Sequence, residues 1–144
     1  MEFKETFLLI EDNLIDQLVV KQLFKNVLKI DQIAIANNGK EGIQWIIENK
    51  NKQSLIILLD IQMPIMDGFD FLELYAKLKN ELKKDTQIYV LSSTFDPDEI
   101  DRINGNNYIT GFLSKPFPSE DFKIILMQKL TDYSKTRFTC VKAL

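Results

Sequence analysis

The sequence predicts an α/β domain built on a doubly wound parallel sheet of five strands. Five short apolar runs alternate along the chain with segments whose apolar residues recur at helical spacing. Each run is almost continuously apolar, which is typical of parallel strands whose two faces are both covered by helices. The predicted strands comprise residues 7–10, 33–36, 55–59, 88–91 and 108–113.

The helix predicted between the first two strands spans residues 14–29. Its apolar side chains fall into two neighbouring rows, and together these rows predict a broad face buried against the sheet. One row consists of Ile15, Val19, Leu23 and Val27, and the other of Val20, Phe24 and Leu28.

The other four helices have recognisable start or stop signals. Asn38, with an acid three places further on, predicts a capped helix that ends near residue 49. Gly68 leads into a segment with helical spacing that continues to residue 82. Asp96 and Pro97 predict the start of the fourth helix, and the last helix is expected to begin near Ser119.

Length and composition describe one ordinary globular domain. The chain has 144 residues, of which 45% are hydrophobic and 27% charged, so it can bury a substantial core without a disulfide. We assign residues 1–132 to this domain and residues 133–144 to a tail or an extension of the last helix. The tail, which includes Cys140, is too short to form an output domain.

Charge and composition exclude several classes of partner and site. A net charge of −3 provides no general attraction for nucleic acid or an anionic membrane. No apolar run approaches the roughly 20 residues of a membrane span. The acidic N-terminus and single cysteine predict a cytoplasmic protein. Because the sequence contains no histidine, Ser-His-Asp and Cys-His sites and histidine zinc sites are excluded in their usual forms.

Polar side chains follow four of the five predicted strands, at the point where each strand ends. The carboxyl ends of parallel strands meet at one edge of the sheet, which is where ligands bind in doubly wound folds. We therefore expect these side chains to lie close together. They are Glu11 and Asp12 after the first strand, Asp60 after the third, Ser92 and Ser93 after the fourth, and Lys115 after the fifth.

Taken singly, each of these residues has an ordinary structural explanation. Glu11 and Asp12 could form a solvated turn, and Asp60 could cap the helix that follows it. Lys115 could be a surface lysine, and Ser92 could bond to its own backbone. Their joint occurrence at strand ends favours a common site.

The chemistry of these groups points to phosphoryl transfer. Clustered carboxylates repel each other and are hard to sustain without a cation, and a small set of oxygen ligands suits Mg²⁺. A lysine and a serine hydroxyl supply hydrogen-bond donors for a phosphate. A carboxylate can take the phosphoryl group to form an aspartyl-phosphate. Asp60, at the end of the most apolar strand, is the best candidate for this acceptor.

Four motifs resemble the receiver domain of two-component response regulators, over residues 3 to about 132. The most specific is an Asp-x-x-Met-Pro-x-x-Asp-Gly string, followed at the right distance by Lys-Pro-Phe. The resemblance implies the CheY-like form of the flavodoxin-like fold, with strand order 2-1-3-4-5. The motifs are Leu-Ile-Glu-Asp-Asn (9–13), Leu-Asp-Ile-Gln-Met-Pro-Ile-Met-Asp-Gly (59–68), Val-Leu-Ser-Ser (90–93) and Gly-Phe-Leu-Ser-Lys-Pro-Phe (111–117).

The resemblance also implies a role for each site residue. Asp60 is the implied phosphoacceptor. Glu11 replaces a commoner aspartate and is expected to reach Mg²⁺ through water, while Thr94 and Gln62 flank the phosphate site. The implied Mg²⁺ ligands are Glu11, Asp12, Asp60 and the backbone carbonyl of Gln62. The implied phosphate-binding and switch residues are Ser92, Ser93, Lys115 and the aromatic Phe112, with a cis peptide bond before Pro116.

The implied function is a phosphoryl switch rather than an enzyme with a separate substrate. A sensor histidine kinase or phosphotransfer protein would donate to Asp60, and the domain can assist its own phosphorylation and dephosphorylation. Ser92 would then move toward the phosphate and Phe112 would turn inward. The surface of helix 96–104, strand 108–113 and helix 119–132 would change for a downstream protein target. The short tail predicts a stand-alone receiver, and the sequence leaves a homodimer open.

Three other classes of function can be weighed against this one. A phosphatase of the haloacid dehalogenase type needs a second acid two residues after the nucleophile, where this chain has Gln62. A nucleotide-binding function lacks its Gly-rich Gly-Lys-Ser/Thr loop. The main alternative is a pseudo-receiver that binds proteins without taking phosphate. Every site position carries a residue type that is able to serve in phosphoryl transfer. This favours the phosphoacceptor over the pseudo-receiver.

Overall fold

A computed structural model describes residues 3–51, 54–93 and 96–131. Within these ranges, five strands alternate with five α-helices, so the predicted fold class is confirmed. The strands are β1 (Thr6–Ile10), β2 (Ala34–Ala36), β3 (Leu55–Asp60), β4 (Thr86–Ser92) and β5 (Ile109–Ser114). The helices are α1 (Leu14–Leu23), α2 (Gly39–Glu48), α3 (Gly68–Ala76), α4 (Pro97–Asn104) and α5 (Ser119–Thr131).

The strands form one parallel sheet in the order β2-β1-β3-β4-β5, as expected. Successive side chains of a strand point to opposite faces of the sheet, and an apolar cluster covers each face. Both sets of side chains are therefore buried, which explains the continuous apolar runs of the sequence. Leu8 and Ile10 of β1 pack into the cluster covered by α2, α3 and α4, while Phe7 and Leu9 pack beneath α1 and α5. The strand order reverses between β1 and β3, so the crevice expected for a ligand lies at the carboxyl ends of those strands.

The prediction of a broad buried face on the first helix is wrong. The buried stripe is narrow, because Ile15 is 70% exposed and Val19 is 42% exposed. After Leu23 the helix continues as a π-helical turn, Phe24–Leu28, which ends at Lys29 with a left-handed backbone (φ 61°). The stripe that contacts the sheet consists of Gln17, Val20, Phe24 and Leu28.

The start signals predicted for α2 and α4 are confirmed. The side chain of Asn38 accepts a hydrogen bond of 2.8 Å from the backbone N–H of Glu41. Asp96 caps α4, with Pro97 at its first position. The segment after Gly68 is shorter than predicted, because α3 ends at Ala76 and a 3₁₀ turn, Asn80–Leu82, follows.

The described part of the chain has no helix with both the length and the apolar character needed to cross a membrane. The tail of residues 133–144, with Cys140, lies outside the described residues, as does Thr94.

Candidate functional site

The pairing of β1 with β3 brings the predicted acids together. Ile10 pairs with Leu59, so Glu11 and Asp60 leave adjacent strands at the same level of the sheet. Oxygen atoms of Glu11, Asp12 and Asp60 all lie within 4.8 Å of one another. Glu11 is only 1% exposed and Asp60 only 2%, so the explanation of a solvated turn fails for Glu11, whereas Asp12 beside it reaches solvent.

Asp60 does not cap the helix that follows it. Asp67 is the cap of α3, and it forms a reciprocal capping box with Asp70. The carboxylate of Asp60 instead accepts a hydrogen bond of 3.3 Å from the backbone N–H of Gln62. The acid is therefore held within the site by its own loop.

Lys115 reaches the acids from the end of β5. Its backbone N–H donates a hydrogen bond of 2.9 Å to the carbonyl of Ser92, and the Lys115–Pro116 peptide bond is cis. The Nζ atom of Lys115 lies 3.2 Å from Oε1 of Glu11 and 3.2 Å from Oδ1 of Asp60. It also lies 3.3 Å from Oδ2 of Asp16. One ammonium group thus joins three carboxylates.

Burial dominates the electrostatics of this pocket. Burial, followed by the nearby Asp60 carboxylate, raises the pKa of Glu11 to about 7. Burial also raises the pKa of Asp60, against the opposing effect of Lys115. Burial by itself lowers the pKa of Lys115, but the carboxylates of Asp60 and Glu11 together outweigh it and the net pKa is raised. The pocket therefore favours a state in which one of the two carboxyl groups is protonated. An added cation would instead favour the ionised form of both.

The donor set of this pocket fits Mg²⁺. All three side chains offer carboxylate oxygens, which are the hard ligands that this ion prefers. The three carboxylate oxygens lie within 4.8 Å of one another, so these residues would be able to hold one such ion between them. The pKa of Glu11 is raised by burial first and by the Asp60 carboxylate second, and a bound divalent cation would favour the ionised carboxylate against both effects.

Two serines at the end of β4 face different partners. Ser92 is 1% exposed, and its hydroxyl lies 3.1 Å from Oε1 of Glu99 on α4. Ser93 is exposed, and its hydroxyl lies 3.4 Å from the side-chain oxygen of Gln62. Neither contact is to Asp60.

Phe112 is 6% exposed and belongs to the core cluster that includes Val90 and Ile103. An inward turn of Phe112 on phosphorylation requires that its ring face outward beforehand. In this structure the ring is already buried. Any movement of this side chain must therefore begin from a buried position.

Three residues near the site were missed by the sequence analysis. Gln17 is buried, and its amide donates hydrogen bonds of 2.6 Å to the carbonyl of Glu11 and 2.8 Å to Oδ1 of Asn37. Asp16 contacts Lys115, and Glu99 contacts Ser92. A usable signal existed for Gln17 alone, because it is the polar member of the apolar stripe on α1.

The sequence matches the family model described as the response regulator receiver domain over residues 7–127. This chain belongs to that family. A receiver domain is the phosphoacceptor of two-component signalling, and it is a signalling domain rather than, in general, an enzyme. Receiver domains generally bind Mg²⁺ at an acidic pocket, and they work with histidine kinases and downstream targets.

Curated relatives are longer proteins that contain a similar segment. The probable C4-dicarboxylate response regulator DctR of Bacillus subtilis is 31% identical over 128 residues, which cover 89% of this chain and 53% of that protein. The probable transcriptional regulator ycf29 of Porphyra purpurea is 36% identical over 76% of this chain and 48% of its own length. The autoinducer 1 sensor kinase/phosphatase LuxN of Vibrio campbellii is 33% identical over 77% of this chain and 12% of its own length. This chain therefore spans about half or less of these relatives.

Solved structures of receiver proteins share the fold over nearly their whole length. The response regulator receiver protein of Dyadobacter fermentans has a TM-score of 0.76 and 25% identity, with 88% of this chain and 98% of that chain covered. The two-component response regulator of Cytophaga hutchinsonii has a TM-score of 0.78 over 91% and 99% of the two chains. Its identity of 22% supports the fold alone.

Proposed function

We propose that this receiver takes its phosphoryl group on Asp60. The observation that supports the proposal is the position of this one carboxylate. Asp60 is 2% exposed, shares a cluster of oxygens with Glu11 and Asp12, and lies 3.2 Å from the ammonium group of Lys115. Glu11 is also a buried acid beside Lys115, but its two oxygens accept separate hydrogen bonds from Lys115 and from the backbone N–H of Asn13. In Asp60, by contrast, the contacts from Lys115 and from the backbone N–H of Gln62 both fall on Oδ1.

The transfer step requires positioning rather than acid-base catalysis. An oxygen of Asp60 attacks phosphorus, an O–P bond forms, and the bond from phosphorus to the donor breaks, with its electron pair leaving on the donor. The donor is a phosphohistidine nitrogen of a sensor kinase or phosphotransfer protein, or acetyl phosphate. Mg²⁺, held by Glu11, Asp12, Asp60 and the carbonyl of Gln62, would neutralise charge on the phosphoryl oxygens. Lys115 then pairs with one of those oxygens.

The same argument extends to self-catalysis. Because every group in the site belongs to the receiver, the domain accelerates its own phosphorylation from a small donor and its own dephosphorylation. Gln62, whose side-chain oxygen lies 3.4 Å from the hydroxyl of Ser93, flanks the phosphate site, at a position that affects phosphoryl lifetime in relatives. The output is a change in the surface formed by α4, β5 and α5, to which Ser92, Ser93 and Phe112 connect the site. Such coupling is typically worth about 1 to 3 kcal/mol, so phosphorylation shifts an existing equilibrium.

Intact mass spectrometry tests the acceptor. The parent protein is incubated with Mg²⁺ and acetyl phosphate, and we expect the mass to rise by one phosphoryl group. Asp60→Asn should show no increase. The matched control is Asp67→Asn, which changes an acid of the same loop to a residue that also caps helices well.

Two outcomes contradict the proposal. An unmodified parent would favour the pseudo-receiver, which acts only by binding other proteins. An adduct that persists in Asp60→Asn would place the phosphoryl group on another residue. Omitting Mg²⁺ should reduce the adduct in the parent, because the clustered acids would then repel the incoming phosphate.

A further inference from the structure

The buried hydroxyl of Ser92 contacts helix α4. Its Oγ lies 3.1 Å from Oε1 of Glu99, in the first turn of α4. A hydroxyl carries one hydrogen, and an ionised carboxylate is an acceptor only, so Ser92 donates and Glu99 accepts. The hydroxyl cannot donate to Glu99 and to a phosphoryl oxygen at the same time.

The backbone around Ser92 is fixed, so the hydroxyl is the part that can respond. Leu91 pairs with Asp60 across β3 and β4, and its carbonyl accepts a hydrogen bond from Ile61. The carbonyl of Ser92 accepts a hydrogen bond from Lys115. The main chain of Ser92 is thus tied to the loops that carry Asp60 and Lys115. Rotation about χ1 moves the hydroxyl between staggered positions without disturbing these bonds.

We infer that Glu99 is a positioning residue that competes with phosphorylated Asp60 for the Ser92 hydroxyl, and thereby links α4 to the state of the site. The inference rests on the proposed function of Asp60. Before phosphorylation, the hydroxyl holds the first turn of α4 against the end of β4. After phosphorylation, the hydroxyl turns to the phosphate, and Glu99 loses this hydrogen bond.

The surroundings of Glu99 allow α4 to respond. Ile103 anchors the helix in the core, and the guanidinium group of Arg102 stacks 3.7 Å from the ring centroid of Phe69. Glu99 and Arg102 line an open cleft between α4 and the loop after β3. The start of α4 can therefore shift while its end stays packed, and Glu99 connects the shift to Ser92.

Amide hydrogen exchange tests the link without any phosphodonor. We expect Glu99→Ala and Ser92→Ala each to raise exchange in α4 by roughly 3- to 10-fold, which corresponds to the loss of one hydrogen bond. The double variant should show no further increase, because both changes remove the same contact. Asp98→Asn removes a charge from the same turn and should leave α4 exchange unchanged.

Binding of beryllium fluoride with Mg²⁺, an analogue of the phosphoryl group on a carboxylate, tests the competition. We expect Glu99→Ala to bind it roughly 3- to 10-fold more tightly than the parent, since the hydroxyl no longer has to leave Glu99. In the Ser92→Ala background, Glu99→Ala should give no such gain. Asp98→Asn should bind the analogue as the parent does, which separates the hydrogen bond from a general effect of charge.

The outcomes separate this inference from the proposed function. A parent that gains no mass from acetyl phosphate contradicts the proposed function, and the exchange experiment still decides whether Glu99 holds α4. The parent could gain mass while Glu99→Ala tightens the binding of beryllium fluoride equally with and without the Ser92 hydroxyl. That result would overturn the competition and leave Asp60 as the acceptor. Additive exchange effects of the two variants would overturn the link itself.

Discussion

The ammonium group of Lys115 lies 3.2 Å from Oδ1 of Asp60 and 3.2 Å from Oε1 of Glu11, so one cation joins the ends of β1, β3 and β5. Both carboxylates are almost fully buried. A buried carboxylate that lacks a partner is strongly destabilising. Lys115 therefore stabilises the metal-free domain as well as preparing the site for a phosphate.

Replacing Lys115 with alanine should lower the free energy of unfolding by roughly 2 kcal/mol at pH 8 in the presence of a chelator. The loss should be smaller at pH 5, because the raised pKa of Glu11 leaves that acid protonated there. Urea unfolding at the two pH values measures the difference. Lys40→Ala, at an exposed position, should change stability by less than about 0.5 kcal/mol. Equal losses at both pH values would show that Lys115 acts through packing instead.

The raised pKa of Glu11 makes the stability of the metal-free domain depend on pH. Its pKa is about 7 in the folded protein against an ordinary value of 4.5, so the folded state keeps a proton that the unfolded state has lost between these values. The resulting stability is fully present below pH 4.5 and disappears as the pH rises through 7. The full change is about 3 kcal/mol at most.

Comparison with Glu11→Gln isolates this contribution. The difference in unfolding free energy between the parent and the variant should fall steadily as the pH rises across that range, since glutamine does not titrate. A difference that is flat, or that rises with pH, would contradict the assignment of the proton to Glu11. Both proteins must be measured with chelator present, because a bound cation would favour the ionised carboxylate.

Strand positions followed from the sequence because buried parallel strands leave a continuous apolar pattern, whereas the strand order was implied by the resemblance to receiver domains. The orientation of α1 did not follow. Its two apolar rows satisfy helical periodicity equally well, and periodicity alone does not say which row meets the sheet. The row with Val20 and Phe24 is buried, while Ile15 and Val19 of the other row face outward.

The site residues that could be predicted lie at strand ends, and those that could not be predicted lie on helices. Glu11, Asp60 and Lys115 follow strands, and the sheet brings strand ends together whatever the side chains do. Asp16 and Glu99 lie on helices, and their contacts depend on how each helix is rotated about its axis. That rotation is set by tertiary packing, which the local pattern does not encode.

Gln17 should be required for the stability of the acidic pocket. Gln17→Leu keeps a side chain of similar size but removes the donors to the carbonyl of Glu11 and to Asn37. Leaving the buried carbonyl of Glu11 unpaired should cost roughly 2 kcal/mol of unfolding free energy, and Mg²⁺ affinity should fall because Glu11 is less well held. Gln22→Leu, on the exposed side of α1, is the control. Equal stability of the two variants, or a more stable Gln17→Leu, would show that the amide hydrogen bonds contribute nothing.

Gly68 is required by the close approach of α3 to the end of β3. A Cβ atom at this position would lie 2.8 Å from Cα of Ile61 and 3.0 Å from the carbonyl oxygen of Asp60, so the backbone would have to move. The Gly68 N–H also donates a hydrogen bond of 2.9 Å to the carbonyl of Ile61. We expect Gly68→Ala to lose about 2 kcal/mol of stability and to take up phosphoryl groups more slowly, because the strain falls on Asp60 itself.

Gly105→Ala is the matched control for this substitution. Gly105 ends α4 with φ −84°, which alanine adopts without strain, and its added Cβ would meet the carbonyl oxygens of Asp101 at 3.3 Å and Arg102 at 4.0 Å. Its stability should stay within about 1 kcal/mol of the parent, with an unchanged rate of phosphorylation from acetyl phosphate. If the two variants lose the same stability and both are phosphorylated at the rate of the parent, the packing of Gly68 does not affect Asp60. A selective loss in Gly68→Ala would instead show that the geometry of the acceptor depends on the approach of α3 to Ile61.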